Sequence, residues 1–276
     1  MKLKLNISKS KSDSTNIIKT PTLMLAPLVP KSPVHMSLPL RYKYIEILGQ
    51  GAYGLVVKAM DTQSGNVVAI KLQKHDKNKE FEKEIENLKW VSDKCKNLVC
   101  ILDHGTHYGK LYIVMEFIKG MDMDKYIHKN HGNKIIESLF KQLISAVKLL
   151  HSHGLAHMDI KPANVMVDTM GSVRLVDLGL SCFQEPCVGG TTKYIPPDVF
   201  GNPSVSERKR ADMWAVGGSL AAVLGRNDIL ISRTNELLAG SKMLPLPTNL
   251  KITPYLTRIL GLLTESKKRA GIFKTL

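Results

Sequence analysis

The segment His157-Met-Asp-Ile-Lys-Pro-Ala-Asn164 is followed, thirteen residues on, by Asp177-Leu-Gly179. Together they carry two carboxylates, an amide and an ammonium, bounded by short, mostly apolar runs at Val165–Val167 and Val173–Val176. Asp159 and Lys161 lie two apart on an extended loop, where one can accept a hydroxyl proton and the other can neutralise a phosphate. Asn164 and Asp177 offer oxygen ligands of the kind Mg²⁺ takes alongside substrate phosphates. That set of roles is what phosphoryl transfer requires.

Upstream, Gly49-Gln-Gly-Ala-Tyr-Gly54 is a G-x-G-x-x-G pattern, weak in isolation. In a dinucleotide-binding fold the last glycine opens a helix, and an acidic residue follows about twenty positions on. Here Leu55–Ala59 reads as a strand, and the residue 22 positions after Gly49 is Lys71. The loop therefore joins two strands. Val68-Ala-Ile-Lys71 puts an ammonium on a strand otherwise built for burial, and a buried ammonium needs anionic partners. In protein kinases, which this part of the chain resembles, one such partner is a helix glutamate; the resemblance points to Glu84, beside the core-facing Ile85 on a helical spacing with Phe81 and Leu88, with Glu82 and Glu80 as alternatives.

These motifs stand in the order found in the protein kinase family, which the chain resembles from about Tyr44 to Arg269. In kinases the glycine loop covers the ATP phosphates. The resemblance implies an ATP site at Leu48, Gly49, Gln50, Gly51, Ala52, Tyr53, Gly54, Leu55, Val56, Ala69, Lys71, Met115, Glu116 and Met166. It makes Asp159 the base, Lys161 the phosphate-stabilising cation, Lys71–Glu84 the supporting ion pair, and Asn164 and Asp177 the Mg²⁺ ligands. His157 is implied to be a packing residue. Gly190-Thr-Thr-Lys-Tyr-Ile-Pro-Pro-Asp198 resembles the substrate-docking end of an activation segment, with Asp198 for the usual glutamate and Arg269 as its partner. Asp212 and Trp214 match the buried helix beneath the catalytic loop. Lys161 with Thr191 resembles serine/threonine kinases. Two departures stand out: Leu178 replaces a phenylalanine, and Met158 replaces the arginine that a phosphorylated activation loop clamps. The implied activity is serine/threonine phosphorylation of protein substrates by a monomer, independent of activation-loop phosphorylation. A pseudokinase scaffold and a small-molecule phosphotransferase are the alternatives.

The fold class expected is α+β, with a small antiparallel sheet lobe carrying one helix (44–117) and a larger, mainly helical lobe (121–272), together a 44–272 domain. Strands are expected at Tyr44–Leu48, Leu55–Ala59, Val67–Leu72, Leu98–Leu102 and Leu111–Met115, with turns at Asp61–Gly65 and His104-Gly105. Helices are expected at Lys74–Trp90, Ile135–His153, Met213–Leu224 and Tyr255–Leu263. The net charge is +15, and residues 1–43 hold seven lysines and Arg41 against Asp13. This basic stretch reads as a disordered leader that keeps the protein soluble or attracts an acidic partner. No window has the length and apolarity of a transmembrane helix. Cys95, Cys100, Cys182 and Cys187 are too few for a disulfide scaffold, and free thiols in a reducing cytoplasm are the expectation.

Overall fold

Alternating apolar residues around tight turns build a sheet between Tyr42 and Glu116. A computed structural model describes residues 37–51, 54–74, 78–92, 96–129, 132–183, 190–199, 203–241, 243 and 245–276, with the side chains of residues 78 and 80 excepted. Five strands, β1 (Tyr42–Gln50), β2 (Gly54–Asp61), β3 (Val67–Gln73), β4 (Ile101–His107) and β5 (Lys110–Glu116), form an antiparallel sheet in the order β1-β2-β3-β5-β4. One face buries Tyr42, Val57, Ala59, Val68, Ile70 and Val114 in a small core of its own. The sheet begins at Tyr42, two residues before the expected start. Arg41 is fixed there by two hydrogen bonds to Asp61, both of 2.8 Å, and one of 3.1 Å to Asp103.

The Asp61–Gly65 turn forms as expected, closed by Gly65 N–H to the Asp61 carbonyl at 2.8 Å. The next two expectations need correction. Leu98 makes only an isolated bridge to Leu175, and the strand proper starts at Ile101. His104-Gly105 is not a turn but lies inside β4, where Gly105 opposes Tyr112; a Cβ there would sit 2.7 Å from the tyrosine hydroxyl oxygen. The hairpin instead turns at Tyr108-Gly109, both with positive φ (47° and 74°), as a two-residue connection between twisted strands requires.

Helix α1 (Asn78–Val91) packs Phe81, Ile85 and Leu88 into the larger core. That core is built mainly by helices, and a fully buried leucine or phenylalanine in it contributes about 1.5–3 kcal/mol. After the strand β6 (Gly120–Asp122) and α2 (Met123–Lys129), α3 (Asn133–Ser152) buries a full stripe from Ile136 to Leu150. Gly154, at φ 89°, ends that helix and returns the chain toward the sheet β6-β7-β8, whose other strands are β7 (Val165–Asp168) and β8 (Val173–Leu175). Helix α4 (Val205–Val223) starts at a reciprocal Ser204/Glu207 capping box, eight residues before the expected helix at Met213, and is buried on nearly every side. Around it lie α5 (Asn227–Leu238), α6 (Pro254–Leu260) and α7 (Ser266–Lys274).

The two-lobed α+β architecture is the one the resemblance implies. Among the described residues no helix is long and apolar enough to cross a membrane. Cys100 and Cys182 are both disulfide-bonded, which corrects the expectation of free thiols. The low cysteine count argued against a scaffold of many bridges, which does not preclude individual bonds. Cys95 and Cys187 lie outside the described residues.

Candidate active site

Strand register builds the upper half of the site. Lys71 on β3 lies opposite Val56 on β2, and Val56 lies opposite Gly49 on β1. One row across the sheet thus sets the lysine under the glycine loop. The loop closes on itself through Gly51 N–H to the Gly54 carbonyl, 2.9 Å. Gly54 has to be glycine, since a Cβ would lie 2.6 Å from the Leu72 carbonyl oxygen. Leu48, Gln50 and Leu55 flank this row, and Ala69 pairs with Met115. Ala52 and Tyr53 lie outside the described residues.

The Lys71 ammonium donates to both Glu84 oxygens (2.6 and 2.8 Å) and to Asp177 Oδ1 (2.9 Å). Burial alone would push its pKa down; the two carboxylates outweigh that and hold it above the ordinary lysine value. Burial likewise opposes ionisation of Asp177, and Lys71 more than offsets it, so this carboxyl sits below the usual aspartate value. Burial pushes the Glu84 carboxyl up against the pull of Lys71. Two short contacts from one ammonium are nonetheless the geometry of an ion pair. Of the alternatives, Glu82 is exposed and the Glu80 side chain lies outside the described residues.

In the lower half, one carboxylate gathers four donors. Asp159 Oδ1 accepts from the Thr191 hydroxyl (2.7 Å) and the Thr191 N–H (3.1 Å). Its Oδ2 accepts from Lys161 (2.7 Å) and the Asn164 amide (2.9 Å). Lys161 also donates to Thr191 Oγ1 at 2.8 Å, which closes a ring of three side chains. The Asn164 amide nitrogen gives a second bond to the Asp159 carbonyl, 2.9 Å, while its amide oxygen accepts none among the described residues. Val176 N–H to the Asn164 carbonyl, 2.9 Å, brings Asp177 alongside. The Asp177 side chain keeps 38% of its surface exposed. An available amide oxygen and an accessible, ionised carboxylate are hard oxygen donors, so these residues fit Mg²⁺.

Two residues of this lower half have left-handed backbones, Met158 (φ 69°) and Asp177 (φ 66°), a conformation that costs a non-glycine residue about 1–3 kcal/mol. Both are over-determined by their surroundings. The Asp212 carboxylate on α4 accepts the N–H groups of His157 (2.7 Å) and Met158 (2.8 Å), and is itself held by His151 at 2.8 Å. Asn87 on α1 donates to the carbonyls of Leu178 (3.3 Å) and Ser181 (2.9 Å), fixing the chain just beyond Asp177. Leu178 is fully buried, as an apolar plug should be.

His157 is fully buried, and burial pushes its pKa below 6.5. Its Nδ1 accepts the Asp159 N–H (3.2 Å), and Nε2 faces the Val176 carbonyl (3.2 Å), so the neutral Nε2–H tautomer satisfies both. A second proton would take away the acceptor that orients Asp159. Because the depressed pKa belongs to a base, the unfolded chain binds the extra proton first. Stability is therefore lost as pH falls below about 6.5. Melting temperatures recorded from pH 8 to 5.5 should fall less steeply for His157→Gln, which can make both bonds without titrating. Identical slopes would count against this role.

Met166 lies in the lower sheet, opposite Asp122 and Arg174. The Glu116 carboxylate accepts the Cys100 N–H at 3.1 Å and lies 3.4 Å from Arg174, so it ties the lobe junction together. Asp198 meets Arg269 at 3.1 and 3.2 Å, as the sequence suggested. The sequence reading singles out Thr191 only with Lys161, as a mark of kinase class, and does not single out Asn87. Thr191 was detectable only through the likeness of its segment, and Asn87 looks like any polar position of a charged helix.

The family model described as protein kinase domain matches residues 42–255, more than half of the chain. Among curated proteins, the chain is 30% identical over 212 residues to the cell division control protein 2 homolog 3 of Trypanosoma brucei brucei, covering 71% of this chain and 66% of that one. It is 30% identical over 226 residues to the putative CBL-interacting protein kinase 27 of Oryza sativa subsp. japonica (74% and 55%). Against the CBL-interacting serine/threonine-protein kinase 26 of Arabidopsis thaliana it is 29% identical over 226 residues (74% and 51%). The chain thus spans about half to two thirds of the length of these relatives. With the family model matched across both lobes and through the site just described, this chain belongs to the protein kinase family.

Proposed function

We propose that the chain is an ATP- and Mg²⁺-dependent serine/threonine protein kinase whose catalytic unit is 44–272 and which works without activation-loop phosphorylation. The observation that carries this reading is the closed ring of Asp159, Lys161 and Thr191. Asp159 and Lys161 sit on the catalytic loop and Thr191 on the docking segment, so the proton acceptor, the phosphate-neutralising cation and the acceptor-binding surface are already assembled.

In the proposed reaction the acceptor hydroxyl oxygen bonds to the γ-phosphorus of ATP as the bond to the β,γ-bridging oxygen breaks. ADP leaves with that electron pair, and the hydroxyl proton passes to Asp159. Lys161 offsets charge on the moving phosphoryl group, and Lys71, aimed by Glu84, orients the α- and β-phosphates. Mg²⁺, when held by Asp177 and the Asn164 amide oxygen, supplies neutralisation of the phosphate oxygens. The work left to the protein is positioning and electrostatics.

Independence from phosphorylation rests on Met158. A thioether cannot clamp a phosphate, and the Met158 backbone is fixed instead by Asp212. Purified chain with Mg²⁺ and γ-labelled ATP should label serine or threonine in a generic protein acceptor, and prior phosphatase treatment should change the rate by less than about threefold. Loss of activity after phosphatase would refute the phosphorylation-free reading alone. Nucleotide binding without transfer would favour a pseudokinase scaffold, and transfer confined to small molecules would favour a phosphotransferase. The basic leader, residues 1–43, is proposed to attract an acidic partner.

A further inference from the structure

Arg208 lies on α4, one turn before Asp212, within the run Arg208-Lys209-Arg210. Such a run reads as a solvated face, yet the Arg208 side chain is fully buried. Its Nη1 lies 3.8 Å from Cys182 Sγ, a disulfide sulfur and a weak acceptor. Cys182 is where the chain leaving Asp177 rejoins the catalytic loop. Its N–H donates to the Ala156 carbonyl at 3.0 Å and its carbonyl accepts the Ala156 N–H at 3.1 Å, immediately before His157. The Ser181 hydroxyl adds a bond to the His157 carbonyl, 3.1 Å. Arg208 therefore stands where α4, the start of the activation segment and the catalytic loop converge.

Building on the proposed kinase activity, we propose that Arg208 is a positioning residue that supplies from α4 the fixed cation Met158 cannot provide. A catalytic-loop arginine organises the segment only once a phosphate arrives to bridge it. A guanidinium rooted in the buried α4 is present at all times and needs no such signal. Arg208 contacts no reacting group. It acts by holding residues 178–183 against the catalytic loop, and through Asn87 against α1, which keeps Asp177 aimed.

Two measurements on Arg208→Met, Arg208→Gln and Arg208→Lys separate this role from simple packing, and each is made well below the melting temperature of each variant. Amide hydrogen exchange needs no catalytic activity. In the Met and Gln variants the Ser181, Cys182 and Ala156 amides should exchange at least about tenfold faster, with α6 unchanged, while Lys should stay near wild type. In the transfer assay, Met and Gln should lower kcat by about 10- to 100-fold with KM for ATP within about threefold, and Lys should restore kcat to within about threefold. Unchanged exchange at these amides would overturn the proposal even if the chain transferred no phosphate. The expected faster exchange in the Met and Gln variants, together with no phosphate transfer by the wild-type protein, would instead sink the kinase reading and leave Arg208 as a segment anchor. Should Met and Gln fail to fold, a Lys variant that loses more than about tenfold in kcat would overturn it by itself.

Discussion

Asp159→Asn is expected to lower kcat for phosphoryl transfer by about 10²- to 10⁴-fold, the usual weight of a positioned general base, while KM for ATP shifts only a few-fold. The substitution is nearly isosteric, so the shape of the loop survives. What changes is the hydrogen-bond inventory. Asp159 accepts from the Thr191 hydroxyl, the Thr191 N–H, Lys161 and Asn164, and every one of these is a donor. An asparagine amide offers one accepting oxygen, so two of those donors face another donor. Lys161 loses its only ion-pair partner among the described residues, and on the proposed reading the proton of the incoming hydroxyl has no acceptor. Transfer of γ-label at an undiminished rate would remove Asp159 from the role of base.

Asp198→Ala is expected to cost about 3–5 kcal/mol, because it orphans a buried cation. Arg269 is completely buried, whereas the Asp198 side chain retains 25% of its surface. Removing the aspartate therefore strands the partner that cannot reach water. The remaining bonds of Arg269 run to the carbonyls of Thr264 (2.7 Å) and Arg210 (2.9 Å), and its guanidinium lies 5.0 Å over the Trp214 ring. Burial already pulls the arginine pKa below its usual value. Asp198 also accepts the Ser266 N–H at 3.0 Å, so α7 loses its first anchor too. A fall in melting temperature of about 10 °C is the corresponding observable for a domain of this size. Asp198→Glu, the residue most kinases carry, should retain most of the stability. A melting temperature within about 2 °C of wild type for Asp198→Ala would show that the pair contributes little.

The candidate site was legible because its residues are concentrated in short stretches where side-chain type and spacing leave few readings. Lys71, Glu84, Asp159, Lys161, Asn164 and Asp177 come together in the structure. Architecture was harder to read. His104-Gly105 looks like a turn, but that glycine makes room for the Tyr112 ring, and the turn falls at Tyr108-Gly109, where a tyrosine accepts positive φ. Leu98 reads as a strand residue and instead bridges the lobes through Leu175. The first half of α4 hides because Glu207 to Arg210 is charged, although Ser204 and Glu207 already spell a capping box. Arg208 shows why charge pattern misleads: a cation in a basic run is taken for a solvated one until tertiary packing buries it. The likeness of the Gly190–Asp198 segment to a docking loop was visible, but the bond from Thr191 to Asp159 depends on a return of the chain over 32 positions.

Asp177 is the side chain through which the two lobes exchange charge, by its 2.9 Å contact with Lys71. On the proposed reading it is also a Mg²⁺ ligand, so metal entry replaces or supplements an ammonium with another cation. The carboxylate never has to be bared between these states. On that reading an acidic group left alone in the cleft would repel the nucleotide polyanion; Lys71, although shared with Glu84, offsets part of the Asp177 charge before a triphosphate arrives. The ion pair is in that sense a partial stand-in for the metal, and it lowers the electrostatic barrier to loading.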